Sequence, residues 1–247
     1  MYLAYVRNIL NIKMSRYKDQ HFVVDNRLIR RICNYADIDD KDIVLEIGAG
    51  TGNLTAELIK RAKFVHAIEK DKKLAETLYD RFRTCRNIEI LQDDALKIEF
   101  PKFGKIVSNL PYSISRRITV KFIKYEFDRA ILLYQKEFVD KLLAKSGTDN
   151  YRFISALVQS VADIELLEKV PPTVFQPRPR VWSALIKLVP KKIPDEKYIR
   201  FLRTIFNHKN KKISKILKDK DIPEKYADSR AINLNPEELL GLYSRIY

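Results

Sequence analysis

Cysteine is nearly absent. Cys33 and Cys85 are the only two in 247 residues, and neither stands in a CxxC or other metal-ligand spacing. That excludes a disulfide framework and a cysteine-built metal site, and a reducing, cytoplasmic setting is the expectation. Histidine is as sparse: His21, His66 and His208 are scattered, so no metal cluster and no spaced catalytic base is suggested. No apolar run approaches the roughly 18 residues of a membrane span. The opening Met1-Tyr2-Leu3-Ala4-Tyr5-Val6-Arg7 lacks the basic start and long apolar centre of a secretory signal. Internal repeats and low-complexity tracts are missing as well. The expectation is a soluble intracellular protein without membrane contact.

What the chain does have is charge of one sign. Lys and Arg number 47 against 32 Asp and Glu, a formal net charge of +15, while 46% of the residues are apolar. The apolar share is enough for a substantial core, and the excess of cations favours a polyanionic partner. At roughly 150 residues per domain the length fits one large domain or a large and a small one. The cations cluster. Residues 200 to 220 hold Arg200, Arg203, Lys209, Lys211, Lys212, Lys215, Lys218 and Lys220 against Asp219 alone, and residues 1 to 31 are also basic. Two dense basic runs at the ends of a more balanced chain point to nucleic acid.

Apolar periodicity divides the chain. Tyr2, Leu3, Val6, Ile9 and Leu10 give a short amphipathic helix, and either Met1 or Met14 can open the protein. From Asp25, a helix cap, the pattern alternates. A helix reaches about Tyr35, Ile43–Ile47 is a buried strand, and Gly48–Gly52 is a turn leading into a helix over Asn53–Ala62. Phe64–Ile68 is a strand, Asp71–Arg83 a helix, and Ile88–Leu91 and Lys105–Ser108 are strands. Ala130–Tyr134, the stretch around Ile164 to Leu167, and Ser183–Leu188 are three more. Strands alternating with helices predict an α/β protein with a mostly parallel sheet and its ligand site at the carboxyl ends of the strands. Val189-Pro190-Lys191-Lys192-Ile193-Pro194 breaks the series, and beyond it Glu196–Asn207, Lys211–Lys218 and Pro236–Tyr247 read as helices. The expected division is therefore a catalytic domain over 1–189 and a small basic helical domain over 190–247.

Glu46-Ile47-Gly48-Ala49-Gly50-Thr51-Gly52 follows a strand and opens a helix, as a backbone does where a ligand must come close. The dinucleotide fingerprint wants G-x-G-x-x-G, and Asn53 stands where its last glycine belongs. The turn instead resembles the first motif of class I methyltransferases that use S-adenosylmethionine (SAM). Glu69, at the end of the next strand, can accept both hydroxyls of a ribose. Asp94, after the third strand, can accept from the exocyclic amine of an adenine.

After the fourth strand come Ser108-Asn109-Leu110-Pro111-Tyr112-Ser113-Ile114-Ser115. They resemble the N-P-P-Y motif of methyltransferases that act on amines conjugated to a ring. Such an amine is a poor nucleophile because its lone pair is delocalised. The Asn109 side-chain oxygen and the Leu110 carbonyl can hold its two hydrogens and turn the lone pair toward a methyl donor. Pro111 stiffens the backbone, and Tyr112 can stack on a flipped base. The methylated amine loses its proton to water, so no tuned base is required.

Together, Asp19-Gln20-His21-Phe22-Val23, Glu46–Gly52, Glu69, Asp94, Asn109–Ser115 and Phe175-Gln176-Pro177-Arg178-Pro179-Arg180-Val181-Trp182-Ser183 resemble the KsgA/Erm family of rRNA adenine N6-methyltransferases. The resemblance runs from about residue 15 to 190, departing at Asp19, where the family usually has Gly, and at Val23, where Leu is common. It implies a class I SAM-dependent fold, Rossmann-like and seven-stranded. It implies SAM as cofactor, with His21, Val23, Gly48, Gly50, Glu69, Asp94 and Asn109 lining its site. Asn109, Leu110, Pro111 and Tyr112 would carry the chemistry, with Phe175 a second aromatic wall. Leu110 favours the small-subunit branch, and the Asp19-Gln20-His21-Phe22 segment and short tail resemble its archaeal members: a monomer that dimethylates two adjacent adenosines near the 3′ end of small-subunit rRNA, in a pre-ribosomal particle during ribosome biogenesis. The alternatives are an Erm-like enzyme of large-subunit rRNA and a non-catalytic rRNA-binding assembly factor.

Overall fold

The computed structural model describes residues 20–218 and 220–247. The helix expected over residues 2 to 12, the choice between Met1 and Met14, and Asp19 lie outside the described residues. In chain order the strands are β1 (Phe22–Val23), β2 (Ile43–Ile47), β3 (Phe64–Ile68), β4 (Ile88–Leu91), β5 (Lys105–Asn109), β6 (Arg129–Gln135), β7 (Ala162–Val170), β8 (Phe175–Gln176) and β9 (Ser183–Pro190). The helices are α1 (Asn26–Ala36), α2 (Thr55–Leu58), α3 (Lys72–Phe82), α4 (Ser115–Phe122), α5 (Lys136–Leu142), α6 (Phe153–Val161), α7 (Glu196–Phe206), α8 (Ile213–Ile216), α9 (Glu224–Ala227) and α10 (Pro236–Ile246).

Seven strands form one sheet in the order β4-β3-β2-β5-β6-β9-β7. Pairs from β4 through β6 are parallel, and β9 runs antiparallel between β6 and β7. The strand order reverses between β2 and β5. An open α/β sheet has its crevice at such a reversal, outside the carboxyl ends of the two diverging strands. The glycine turn leaves β2 there and the Asn-Leu-Pro-Tyr loop leaves β5 there, so topology alone brings two segments some 60 residues apart in sequence to the same place.

Local chemistry sets the elements. The Asp25 carboxylate accepts from the N–H groups of Arg27 and Leu28 and starts α1, whose Leu28, Ile29, Ile32, Cys33 and Ala36 are buried. Asp71 starts α3 in the same way through Lys73 and Leu74. β2 is covered on both faces, and Val44 and Leu45 are fully buried. The expected helix over Asn53–Ala62 is regular only over Thr55–Leu58. Helical hydrogen bonds from Ala56 to Gly52 and from Ala62 to Leu58 continue it irregularly on both sides. The expected helix over Lys211–Lys218 shrinks to Ile213–Ile216, because Lys212 is drawn into a bridge with Arg230.

Four helices had no signal in the apolar pattern: α4, α5, α6 and the one-turn α9. The clearest case is α6, in which eight of nine residues are buried, so its apolar positions do not repeat with a helical period. It lies between the sheet and the C-terminal helices, packing on α7 and α10 as well as on α5. One continuous core extends from Leu45 of β2 to Leu242 of α10. The helices beyond residue 190 therefore bury their apolar faces against the sheet domain rather than around a centre of their own. No helix among the described residues is long and apolar enough to cross a membrane.

Candidate active site

A cavity of about 290 Å³ opens at the β2/β5 reversal. Its wall is drawn from four strand ends and from the start of β1: His21 and Phe22, Gly48 and Gly50 after β2, Glu69 after β3, Asp94 after β4, and Asn109 through Tyr112 at and beyond the end of β5.

On one side the site is made of acceptors already fixed by internal hydrogen bonds. Glu69 is buried, and its two oxygens accept from the N–H groups of Gly50 and Asp71, each at 2.8 Å. The carboxylate thus buttresses the turn while each oxygen keeps a second lone pair, and burial holds its pKa above the ordinary range. Gly48 and Ala49 donate to the Ile68 carbonyl at the end of β3. Gly50 has φ of +59°, and a side chain there would start 2.7 Å from the Phe22 ring, so glycine is required twice over. Asp94 accepts from Lys70 Nζ at 2.9 Å and from the Leu96 N–H at 3.0 Å, and the lysine hydrogen bond lowers its pKa. It is an ionised acceptor at neutral pH.

On the other side acceptors stand open. Asn109 Nδ2 donates to the His21 carbonyl at 2.7 Å, which fixes the amide so that Oδ1 is the branch left to accept. The Leu110 side chain is buried and its N–H donates to Leu133 of β6, yet no N–H among the described residues donates to the Leu110 carbonyl. Pro111 packs beside Gly48, where an added Cβ would meet its ring at 3.2 Å. Tyr112 shares a 2.6 Å hydrogen bond with Ser183 Oγ at the start of β9, and burial raises its pKa, so it is a neutral phenol. The His21 ring lies 5.5 Å from the Tyr112 ring and donates through Nδ1 to the Pro177 carbonyl at 2.8 Å.

Val23 and Phe175 are placed elsewhere. The two pair with each other across the short β1/β8 ladder, both buried in the core under α1, and neither lines the cavity. Their geometry is that of a clamp which holds His21 and Phe22 in position, rather than of cofactor or base walls.

Comparison with known proteins agrees with this geometry. The family model of ribosomal RNA adenine dimethylase matches residues 11–240. The chain is 41% identical, over 98% of its own length and 98% of the other, to a protein of Methanosarcina acetivorans named probable ribosomal RNA small subunit methyltransferase A. The chain belongs to the ribosomal RNA adenine dimethylase family. Among solved structures it is similar to a dimethyladenosine transferase from Plasmodium falciparum (TM-score 0.80, 29% identity, 90% of this chain and 96% of that one). It is also similar to the 23S rRNA methyltransferase ErmE (TM-score 0.70, 26% identity, 91% and 99%). The fold is that of class I SAM-dependent methyltransferases.

This member of the dimethylase family carries cavity residues that the sequence motifs did not single out. Phe22 floors the glycine turn, Lys70 holds Asp94, and Arg117 of α4 stands at the mouth. The alternation of side chains along β1 gives a signal for Phe22, since Val23 beside it faces the core. Arg117 follows the catalytic loop by only five residues, and its position depends on α4, which the apolar pattern did not reveal.

Proposed function

We propose that this chain transfers methyl groups from SAM to the N6 amines of two adjacent adenosines near the 3′ end of small-subunit rRNA, dimethylating each, within a pre-ribosomal particle. The observation that carries the reading is a pair of acceptors at one point. The Asn109 amide is fixed by His21, and the Leu110 carbonyl has no donor among the described residues, both on the loop beside the glycine turn. An exocyclic amine has two hydrogens, and two acceptors satisfy them.

The residues present fit the cofactor. Glycine at positions 48 and 50 keeps open a cradle that a Cβ would fill, and Glu69 and Asp94 offer carboxylate oxygens suited to a ribose diol and an adenine amine. His21 and Asn109 complete the set. Bound SAM supplies an electrophilic methyl on a sulfonium. The chain's own work is orientation. Asn109 and Leu110 draw on the amine hydrogens, so the nitrogen lone pair turns out of conjugation, and they stabilise the positive charge that grows on nitrogen. Pro111 restricts the carbonyl that does this. Tyr112, kept neutral and tethered to Ser183, offers its ring to the flipped base. The proton then leaves to water.

The small-subunit assignment rests on the name of the archaeal relative and on the closer likeness to the dimethyladenosine transferase than to ErmE. The test is incubation with labelled SAM and, separately, unmethylated small and large ribosomal subunits, followed by mass-spectrometric mapping. Two adjacent dimethyladenosines in small-subunit RNA are expected. A single modified adenosine in large-subunit RNA would move the enzyme to the Erm-like branch, and tight binding without transfer would make it a non-catalytic assembly factor. Cytoplasmic action as a monomer goes with the proposal, as does the division of labour between a catalytic part and a basic helical part from residue 190.

A further inference from the structure

The loop from Pro177 to Trp182 is fastened at both ends to the cavity wall. Its Pro177 carbonyl accepts from His21, and Ser183, directly after it, bonds to the Tyr112 hydroxyl. The Trp182 carbonyl also accepts from the Lys136 N–H at 2.9 Å, which holds the loop's end against the top of β6. On this fixed rim the protein's one tryptophan is 50% exposed and Val181 beside it 39% exposed. Arg178 and Arg180 are exposed too, and neither makes an ion pair among the described residues. Ser183 turns its side chain to Tyr112, and neighbouring residues of an extended chain face opposite ways. The indole is accordingly absent from the cavity lining and stands outside it, one residue along the chain from the partner of Tyr112.

We infer that Trp182 is a stacking platform for a nucleotide adjacent to the target adenosine, with Arg178 and Arg180 holding its phosphates. The inference rests on the rRNA-methyltransferase reading and extends it to how the strand is gripped. Flipping one base out of a stack leaves its neighbour with a bare face, and a rigid, half-exposed indole on the rim covers such a face regardless of base identity. Guanidinium groups without carboxylate partners suit the flanking phosphates. An exposed aromatic of no function has no reason to sit on a loop tied twice to the catalytic wall and flanked by two uncompensated arginines.

Because Trp182 is the only tryptophan, fluorescence excited at the red edge, where the tyrosines do not absorb, reports on it alone in the unmodified protein. Titration with a single-stranded, adenine-containing oligoribonucleotide is expected to quench the indole, and R178Q/R180Q to weaken that titration and flatten its salt dependence. With unmethylated small subunits, W182A should raise the KM for RNA by about tenfold, W182F should restore most of the loss, and the KM for SAM should stay that of the wild type. An indole that remains unquenched at saturating RNA, or a W182A enzyme with wild-type KM for RNA, overturns the inference. If the wild-type protein methylates neither subunit, it is the methyltransferase reading that fails, and the fluorescence titration still decides the stacking.

Discussion

The two halves of the cavity are built on opposite principles. On the side assigned to the cofactor both ligand carboxylates are already engaged: Glu69 by Gly50 and Asp71, Asp94 by Lys70 and Leu96. On the side assigned to the target base, the Leu110 carbonyl has no donor among the described residues and Asn109 is held there through its nitrogen. The first half is preorganised before any ligand arrives, and its shape depends on the same hydrogen bonds that hold the turn. The second half leaves polar capacity to be filled by substrate. Binding of a standing metabolite and capture of a base from structured RNA call for this difference, since an acceptor left open is one that strengthens its interaction only when charge develops on the amine.

The largest effect should come from the open half. Asn109→Ala removes one of the two amine acceptors and is expected to lower kcat by about 10³-fold, in line with loss of a single preorganised group at a developing charge. RNA affinity should stay near wild type, which a filter-binding titration beside single-turnover kinetics reads. Near-normal turnover would remove the amine-holding mechanism. On the closed half, Glu69→Gln places an N–H₂ group against the N–H of either Gly50 or Asp71 and surrenders one oxygen to a ribose. A charged hydrogen bond is worth about 1.5–3 kcal/mol, so the KM for SAM should rise by roughly ten- to a hundredfold while the KM for RNA is spared. Equal losses in both would show that the two halves are one unit.

A third prediction separates burial from function on the closed half. Glu46 is buried at the end of β2 with one carboxylate oxygen lacking a hydrogen bond, and burial pushes its pKa up to about 8. The folded protein thus holds a proton that the unfolded chain releases near its ordinary pKa of 4.5. Between those values the native state binds more protons, so this group costs nothing below pH 4.5 and lowers stability as pH climbs toward 8. The slope is at most about 1.4 kcal/mol per pH unit. Glu46→Gln should flatten the fall of Tm between pH 6 and 8. A variant with the same pH dependence as wild type would show that the carboxyl is solvated by the cleft.

The sequence reveals the closed half better than the open one. Strands β2, β3 and β4 were legible to the residue because each is a short run rich in apolar, mostly β-branched residues, and the ligand acids sit at or just beyond their ends. Glycine spacing and the Asn-Leu-Pro-Tyr loop were legible because their chemistry demands those residue types. What was hidden was tertiary. Phe175 looks like an aromatic wall until its pairing with Val23 buries it, and Lys70 gains meaning only when β3 and β4 lie side by side. The almost wholly buried α6 shows no polar face, so the platform that joins the C-terminal helices to the sheet was not readable.

The smallest effect concerns those C-terminal helices, and it tests whether the open half extends onto them. The cation cluster over residues 200 to 220 points in the sequence to nucleic acid without distinguishing its members. In the structure its members are not equivalent. Lys212 is paired with Asp228 at 2.8 Å, while Lys211 and Lys215 are exposed and form no ion pair among the described residues. A compensated lysine releases few counterions on binding, whereas each free one that meets a phosphate contributes about 0.7–0.9 to the slope of log K against log salt. Neutralising Lys211 and Lys215 to Gln should therefore reduce that slope by about one to two, with Lys212→Gln alone changing it little. Turnover at saturating RNA should be untouched, because these lysines lie on α8 and its approach, away from the cavity wall. An unchanged slope in the double variant would show that Lys211 and Lys215 lie off the RNA path.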